Sequence, residues 1–265
     1  MNIFLRELKA HRTGLILWCL GMTALIGASM AKFATYEKAG QSFLQIIGTL
    51  PRSFLVVFGI NGFDLATVSG FYGVMFLYIA VMGAVHAVLL GSRLISKEES
   101  DKTSEFLHAK PVSRERVLTG KLLAGLVNVV LLNLVTWLSS VLFIRYYGGT
   151  AADTAAVGLL MGALLFLQLM FFAIGAVVAG AARKPKTAPS IATAVMLMTF
   201  LVYSLVNLNE RLGVLRFLSP FKYFDAAVLM EADRLDPVYT GLAVLIIAVA
   251  IFATYRLHAA RDLAI

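Results

Sequence analysis

Six stretches of the chain, residues 14–31, 70–95, 122–144, 155–182, 187–208 and 238–255, are apolar and carry no Asp, Glu, Lys or Arg in their cores. Each is about 18 residues or longer, enough for a helix to cross the roughly 30 Å hydrocarbon layer of a bilayer. In lipid the backbone polar groups must be satisfied internally, so such runs have to be helices. The composition agrees: 60% of the residues are hydrophobic, only 14% are charged, and the mean hydropathy is +0.84. Soluble domains carry nearer a quarter charged residues. The expected fold is therefore all-α and polytopic, one membrane domain of six transmembrane helices over residues 1–265.

The net charge of +8 does not point to nucleic acid, because the basic residues lie in short loops between apolar runs. They read as topology signals and lipid-headgroup contacts. With the N-terminus inside, three Lys or Arg fall in the lead-in, seven between Arg93 and Lys121, three in the turn Arg183-Lys184-Pro185-Lys186 and two in the tail. That places fifteen of the 23 inside and eight, spread over longer loops, outside. The positive-inside rule thus predicts that both termini face the cytoplasm. Ser29-Met30-Ala31 loosely resembles a signal-peptide cleavage site, but the apolar run before it exceeds the usual 7–15 residues, which favours an uncleaved span. The single Cys19 excludes an intramolecular disulfide.

Two outer loops have internal pattern. In residues 32–69, Phe43, Leu44, Ile46, Ile47 and Leu50 share a helical face, and Pro51-Arg52 separates them from a second apolar run at residues 54–60. Neither half reaches spanning length, and an Arg at mid-bilayer costs about 2.5–3.5 kcal/mol on insertion scales, so the loop reads as an interfacial helical hairpin. In residues 209–237, Phe221, Phe224, Val228 and Leu229 suggest a second interfacial helix after Ser219-Pro220. Small residues at Gly83, Ala87 and Gly91 allow another helix to approach the second span closely. Gly158 with Gly162 and Ala176 with Gly180 repeat that spacing in the fourth, for internal packing or a dimer seam.

The longest charged run between spans is residues 96–121, SKEESDKTSEFLHAKPVSRERVLTGK. Ser96 with Glu99 fits a capping box, which predicts a short helix to about residue 109 carrying Phe106 and Leu107 on one face. Pro111 disfavours helical geometry at Lys110. Ser113 then caps the next helix, with Glu115 in its first turn.

This run resembles the cytoplasmic loop of ATP-binding cassette (ABC) export permeases of the small six-helix type. The matching residues are Glu98, Glu99, Thr103, Glu105, Leu107, Pro111, Ser113, Arg114 and Lys121, with Lys102-Thr103 where the family often has Gly-Thr. SPFKYFDAAVLM at residues 219–230 and the terminal RDLAI are similar to the same family, so the likeness covers most of the chain. The resemblance implies a cytoplasmic coupling helix that contacts a separate ATPase subunit through Glu98, Glu99, Thr103, Glu105, Phe106, Leu107, Pro111, Ser113 and Arg114. It implies two copies of that ATPase, which would hold the ATP and Mg, with no cofactor on this chain. It also implies a second permease, identical or related, and a place in the bacterial plasma (inner) membrane. Export of an amphiphilic cargo is the expected function.

An ion-coupled secondary transporter is the alternative, and an intramembrane enzyme a more remote one. A carrier needs an ionisable group inside the bilayer. His86 and tyrosines are the titratable candidates in the spans. Lacking a carboxylate partner in its helix, His86 reads as a hydrogen-bonding group or as lining of a polar path. Asn128, Asn133 and Gln168 read as interhelical hydrogen bonders, with a substrate path as the other possibility. No nucleotide-binding loop is present: Gly120-Lys121 is followed by Leu122, and Glu115 stands where the first glycine of a phosphate loop belongs. No metalloprotease or nucleophile-elbow motif occurs.

Overall fold

A computed structural model describes residues 3–60, 62–100 and 113–260. Among these residues there are helices and no strands. The long helices are α1 (Ile3–Gly48), α3 (Val68–Ser100), α4 (Arg114–Tyr146), α5 (Ala151–Ala181), α6 (Ala188–Leu208) and α9 (Pro237–Ala260). Short helices fill the connections: α2 (Arg52–Val57), α7 (Pro220–Tyr223), α8 (Ala226–Ala232), and 3₁₀ turns at Pro185–Thr187 and Glu210–Leu218. Six of the helices are long and apolar enough to cross a membrane, as the sequence predicts. The protein is an all-α polytopic membrane protein.

The bundle is organised around α3 and α5. The apolar windows of these two helices are 67% and 61% buried, against 17% for both α1 and α9. The central pair packs backbone to backbone. A Cβ added at Gly91 of α3 would strike the Phe172 carbonyl of α5, and one added at Gly175 of α5 would strike the Val88 carbonyl of α3. The small residues beside them, Ala84, Ala87, Ala173 and Ala176, have no exposed surface at all. Lipid tails are as apolar as Leu, so such close packing, rather than hydrophobic expulsion, is what holds membrane helices together. The expected stripe at Gly83, Ala87 and Gly91 is thus an internal seam. In α5 the spacing divides: Ala176 joins the seam and Gly180 meets Leu257 of α9. Gly162 has no atom within 4 Å of its added Cβ and Gly158 meets only Trp137 at 3.9 Å.

Around this pair, α1 packs on α4, α9 on α5, and α6 on α3. Hydroxyl bridges tie the helices together: Thr23 with Ser139 at 2.9 Å, and Tyr72 donating to Ser140 at 2.6 Å. Helix starts follow local chemistry. Thr150 and Asp153 form a reciprocal capping box at α5, and the Asp236 carboxylate accepts from the Val238 amide ahead of α9.

Three features depart from the sequence reading. Residues 32–48 continue α1 instead of forming the first half of a separate interfacial hairpin; the break comes at Pro51, after which α2 starts anew. At 46 residues α1 is about 69 Å long, more than twice the hydrocarbon thickness. The second outer loop is three short pieces, not one helix. Its Phe221, Phe224 and Leu229 are buried, whereas Val228 is 53% exposed. Phe221 wedges against Phe171, Phe200 and Tyr203, and Phe224 stacks on Phe166, so this loop closes one end of the bundle. Lys222 holds it by bonds to Asn207 and Asp225. The third departure is Ser96. It lies inside α3, 3% exposed, and donates its hydroxyl to the Ser92 carbonyl at 2.9 Å. It does not begin a new helix, because burial favours this bond to the preceding turn over a cap.

The seam makes a direct prediction. Gly91→Ala should lower the apparent melting temperature of the detergent-solubilised protein by several degrees, in line with an overpacking cost of about 1–3 kcal/mol. Gly162→Ala, made at the open position, should leave it unchanged. Equal melting of the two variants, followed by fluorescence-detected size exclusion on heating, would contradict the backbone contact.

Candidate coupling loop and polar cavity

The expected contact surface for a second subunit lies between α3 and α4. Glu98 and Glu99 sit in the last turn of α3. Thr103, Glu105, Phe106, Leu107 and Pro111, with the short helix expected to about residue 109, lie outside the described residues. On the far side Ser113 caps α4 as predicted, its hydroxyl oxygen accepting from the Arg116 amide at 3.4 Å. Arg114 and Glu115 follow in the first turn, both exposed. Lys121, two turns further on, is buried at 5% exposure where α4 enters the bundle. The loop is therefore bounded by two helices of 33 residues each, about 50 Å long. Both are longer than the roughly 30 Å hydrocarbon layer of a bilayer.

The four polar candidates inside the spans separate into two pairs. Asn133 of α4 donates its Nδ2 to the Met161 carbonyl and to Gln168 Oε1 of α5, both at 3.2 Å. Gln168 is wholly buried and its Nε2, which faces Gly83 of α3, has no hydrogen-bond partner among the described residues. The hydrogen bonds of this pair join α4 to α5, with Gln168 lying against Gly83 of α3.

His86 and Asn128 instead share a cavity of about 270 Å³ between α1, α3 and α4. His86 is 4% exposed, packs edge-on against Trp18 of α1 at 5.3 Å between ring centres, and leaves Nδ1 without a partner among the described residues. Asn128 donates to its own helix, at the Ala124 carbonyl, 2.8 Å away. The cavity is bounded toward the loop end by His11 and Arg93. Those two residues also line an adjoining cavity of about 350 Å³, formed with Lys97 and Lys186. Lys186 arrives there because the Pro185–Thr187 turn packs on α3. Glu7 is buried near this end at 3% exposure, bonded to Arg6 at 2.6 Å and 3.9 Å from His11. In the sequence Arg93, Lys97 and Lys186 read as topology signals and lipid-headgroup contacts, not as one site. Their convergence depends on which helices neighbour one another, and residue spacing carries no trace of that.

Chemically, the two cavities present hydrogen-bonding and cationic side chains beside an apolar wall. No cluster of three or more His, Cys, Asp or Glu residues suited to a metal ion occurs among the described residues. Cys19 is a lone thiol in α1.

Comparison with known proteins bears on this arrangement. A search of curated proteins finds no match. A family model described as ABC-2 family transporter protein matches residues 1–263, nearly the whole chain. The six helices long and apolar enough to cross a membrane agree with that match. The chain belongs to the ABC-2 transporter family, as a membrane permease component of an ABC transporter.

Proposed function

We propose that this permease is driven by ATP hydrolysed on a separate ABC ATPase, through the loop between α3 and α4, and exports an amphiphilic substrate across the bacterial plasma membrane. The observation that carries the reading is the continuity of α3. One unbroken helix runs from the loop to the glycine seam with α5, the most buried contact of the bundle. A displacement imposed on residues 101–113 is delivered along α3 to the core without an intervening hinge. A permease lacking a nucleotide loop of its own needs such a lever.

In this reading two ATPase subunits, each holding ATP and Mg, engage two permease chains, identical or related. Phe106 and Leu107 are the apolar anchor in a groove of the ATPase. Glu98, Glu99, Glu105 and Arg114 set the register through rim charges worth about 1 kcal/mol or less each. Thr103, Pro111 and Ser113 shape the loop between them. Spans without charged residues in their cores suit an amphiphile better than a bare ion, because an ion would need compensating charge within the bilayer. Both termini and the loop face the cytoplasm, which the distribution of Lys and Arg supports.

Replacing Phe106 and Leu107 together by Asp should leave insertion and elution volume unchanged but weaken ATPase binding about 30-fold or more, the loss expected of a central apolar anchor. Substrate-stimulated ATP hydrolysis should fall with it. Unchanged assembly and transport would remove the coupling role, and transport that persists without ATP but collapses with the ion gradient would favour a carrier.

Orientation has its own test. In a Cys19→Ser background, single cysteines at Lys102 and Arg183 should react only with thiol reagents on the cytoplasmic side, and those at Lys38 and Arg234 only from outside. Labelling of position 102 from outside would invert the topology.

A further inference from the structure

We propose that the two adjoining cavities form one cleft that binds a phosphate-bearing amphiphile from the cytoplasmic leaflet, the anionic group meeting Arg93, Lys97 and Lys186 and the molecule's neck reaching His86. This rests on the orientation proposed above and gives the substrate class a charge and an entry point. The positive-inside rule accounts for basic residues at this face, but not for their gathering around a single opening. Arg93 and Lys97 come from α3 and Lys186 from the turn before α6, and all three border the same 350 Å³ cavity. Among the described residues no carboxylate pairs with any of them. The one buried carboxylate nearby, Glu7, is bonded to Arg6 and lies toward His11. Against the described residues an anion supplies the counter-charge, and Arg and Lys are the side chains that bind phosphate.

The second cavity supplies the rest of the recognition. His86 lies seven residues from Arg93 on α3, about 10 Å deeper. It is 4% exposed, and its Nδ1 has no hydrogen-bond partner among the described residues although buried polar atoms are normally satisfied. Asn128 Nδ2 has a second hydrogen beyond the one given to Ala124. These groups suit the glycerol or sugar oxygens below a phosphate. Trp18 gives the cleft an apolar wall on α1. The flanking Ile16, Leu17 and Leu20 are 57–64% exposed, a surface along which acyl chains can remain in the bilayer.

Trp18 provides the readout, because the only other tryptophan, Trp137, can be removed. The full-length Trp137→Phe permease is placed in nanodiscs containing chain-brominated phosphatidylglycerol or, at equal mole fraction, chain-brominated phosphatidylcholine, and quenching of Trp18 is measured. The anionic lipid should be enriched beside Trp18 by roughly fivefold or more. The excess should vanish in Arg93→Gln/Lys97→Gln/Lys186→Gln and persist in Arg183→Gln/Lys184→Gln, whose charges flank the cleft without lining it. Equal quenching by both lipids, or equal loss in both variants, would overturn the site. Inorganic phosphate separates the two sources of the anion: failure to displace the lipid is expected, and full displacement would assign the cleft to a free phosphate and overturn the amphiphile. All these positions are exposed, so the variants are expected to fold, and their elution profiles check this. No ATP or ATPase is needed. A permease that fails here while still stimulating its ATPase loses the cleft and keeps the coupling reading, and the reverse result loses the coupling alone.

Discussion

Everything else in this bundle depends on two glycines that let α3 and α5 touch through their backbones. Gly91 accommodates the Phe172 carbonyl, and Gly175 accommodates the Val88 carbonyl. In a soluble protein a comparable core would be held by removing Leu and Phe from water. In lipid that term is absent, and close van der Waals contact over a smooth helix surface replaces it. The outer helices α1, α6 and α9 are then free to keep most of their apolar surface in the bilayer, as their low burial shows.

The seam also fixes what the polar residues can do. Because α3 and α5 are in contact, Gln168 is pressed toward Gly83, and with Asn133 it becomes a structural link. His86 lies on a different side of α3, toward α1, where packing is looser and a cavity remains. The same helix therefore carries a rigid face and an open face. Its extension to Ser100 connects both to the loop at which a partner ATPase is expected to act.

Much of this was legible in the sequence because the bilayer imposes simple rules. Charge-free runs had to be helices, and the Ser113 cap followed from Pro111 and the capping preference of Ser. Helix ends in solvent were harder to read. Residues 32–48 contain Lys32, Glu37 and Lys38, so apolarity is lost there while the helix continues, and no helix breaker comes before Pro51. Ser96 and Glu99 had the spacing of a cap, but burial of Ser96 made it an interior residue. Tertiary pairing was the least legible level. Small-residue spacing in α5 singles out Gly158, Gly162, Ala176 and Gly180, of which Ala176 joins the seam, whereas Gly175 makes the central contact. The cleft needs α1, α3, α4 and a turn after α5 to converge, information that exists only once the helices are packed. Residues 101–112 stand as sequence expectations alone.

In the proposed function this chain is the membrane half of an ATP-driven machine. The most direct measurement is native mass spectrometry of the tagged full-length chain extracted from its native membrane, with Mg-ATP hydrolysis assayed on the same sample. The expected result is a complex of two 28.7 kDa permease chains, or one with a related partner, and two nucleotide-binding chains, active in hydrolysis. A permease that extracts without any nucleotide-binding chain and still moves its substrate in vesicles free of ATP would contradict it.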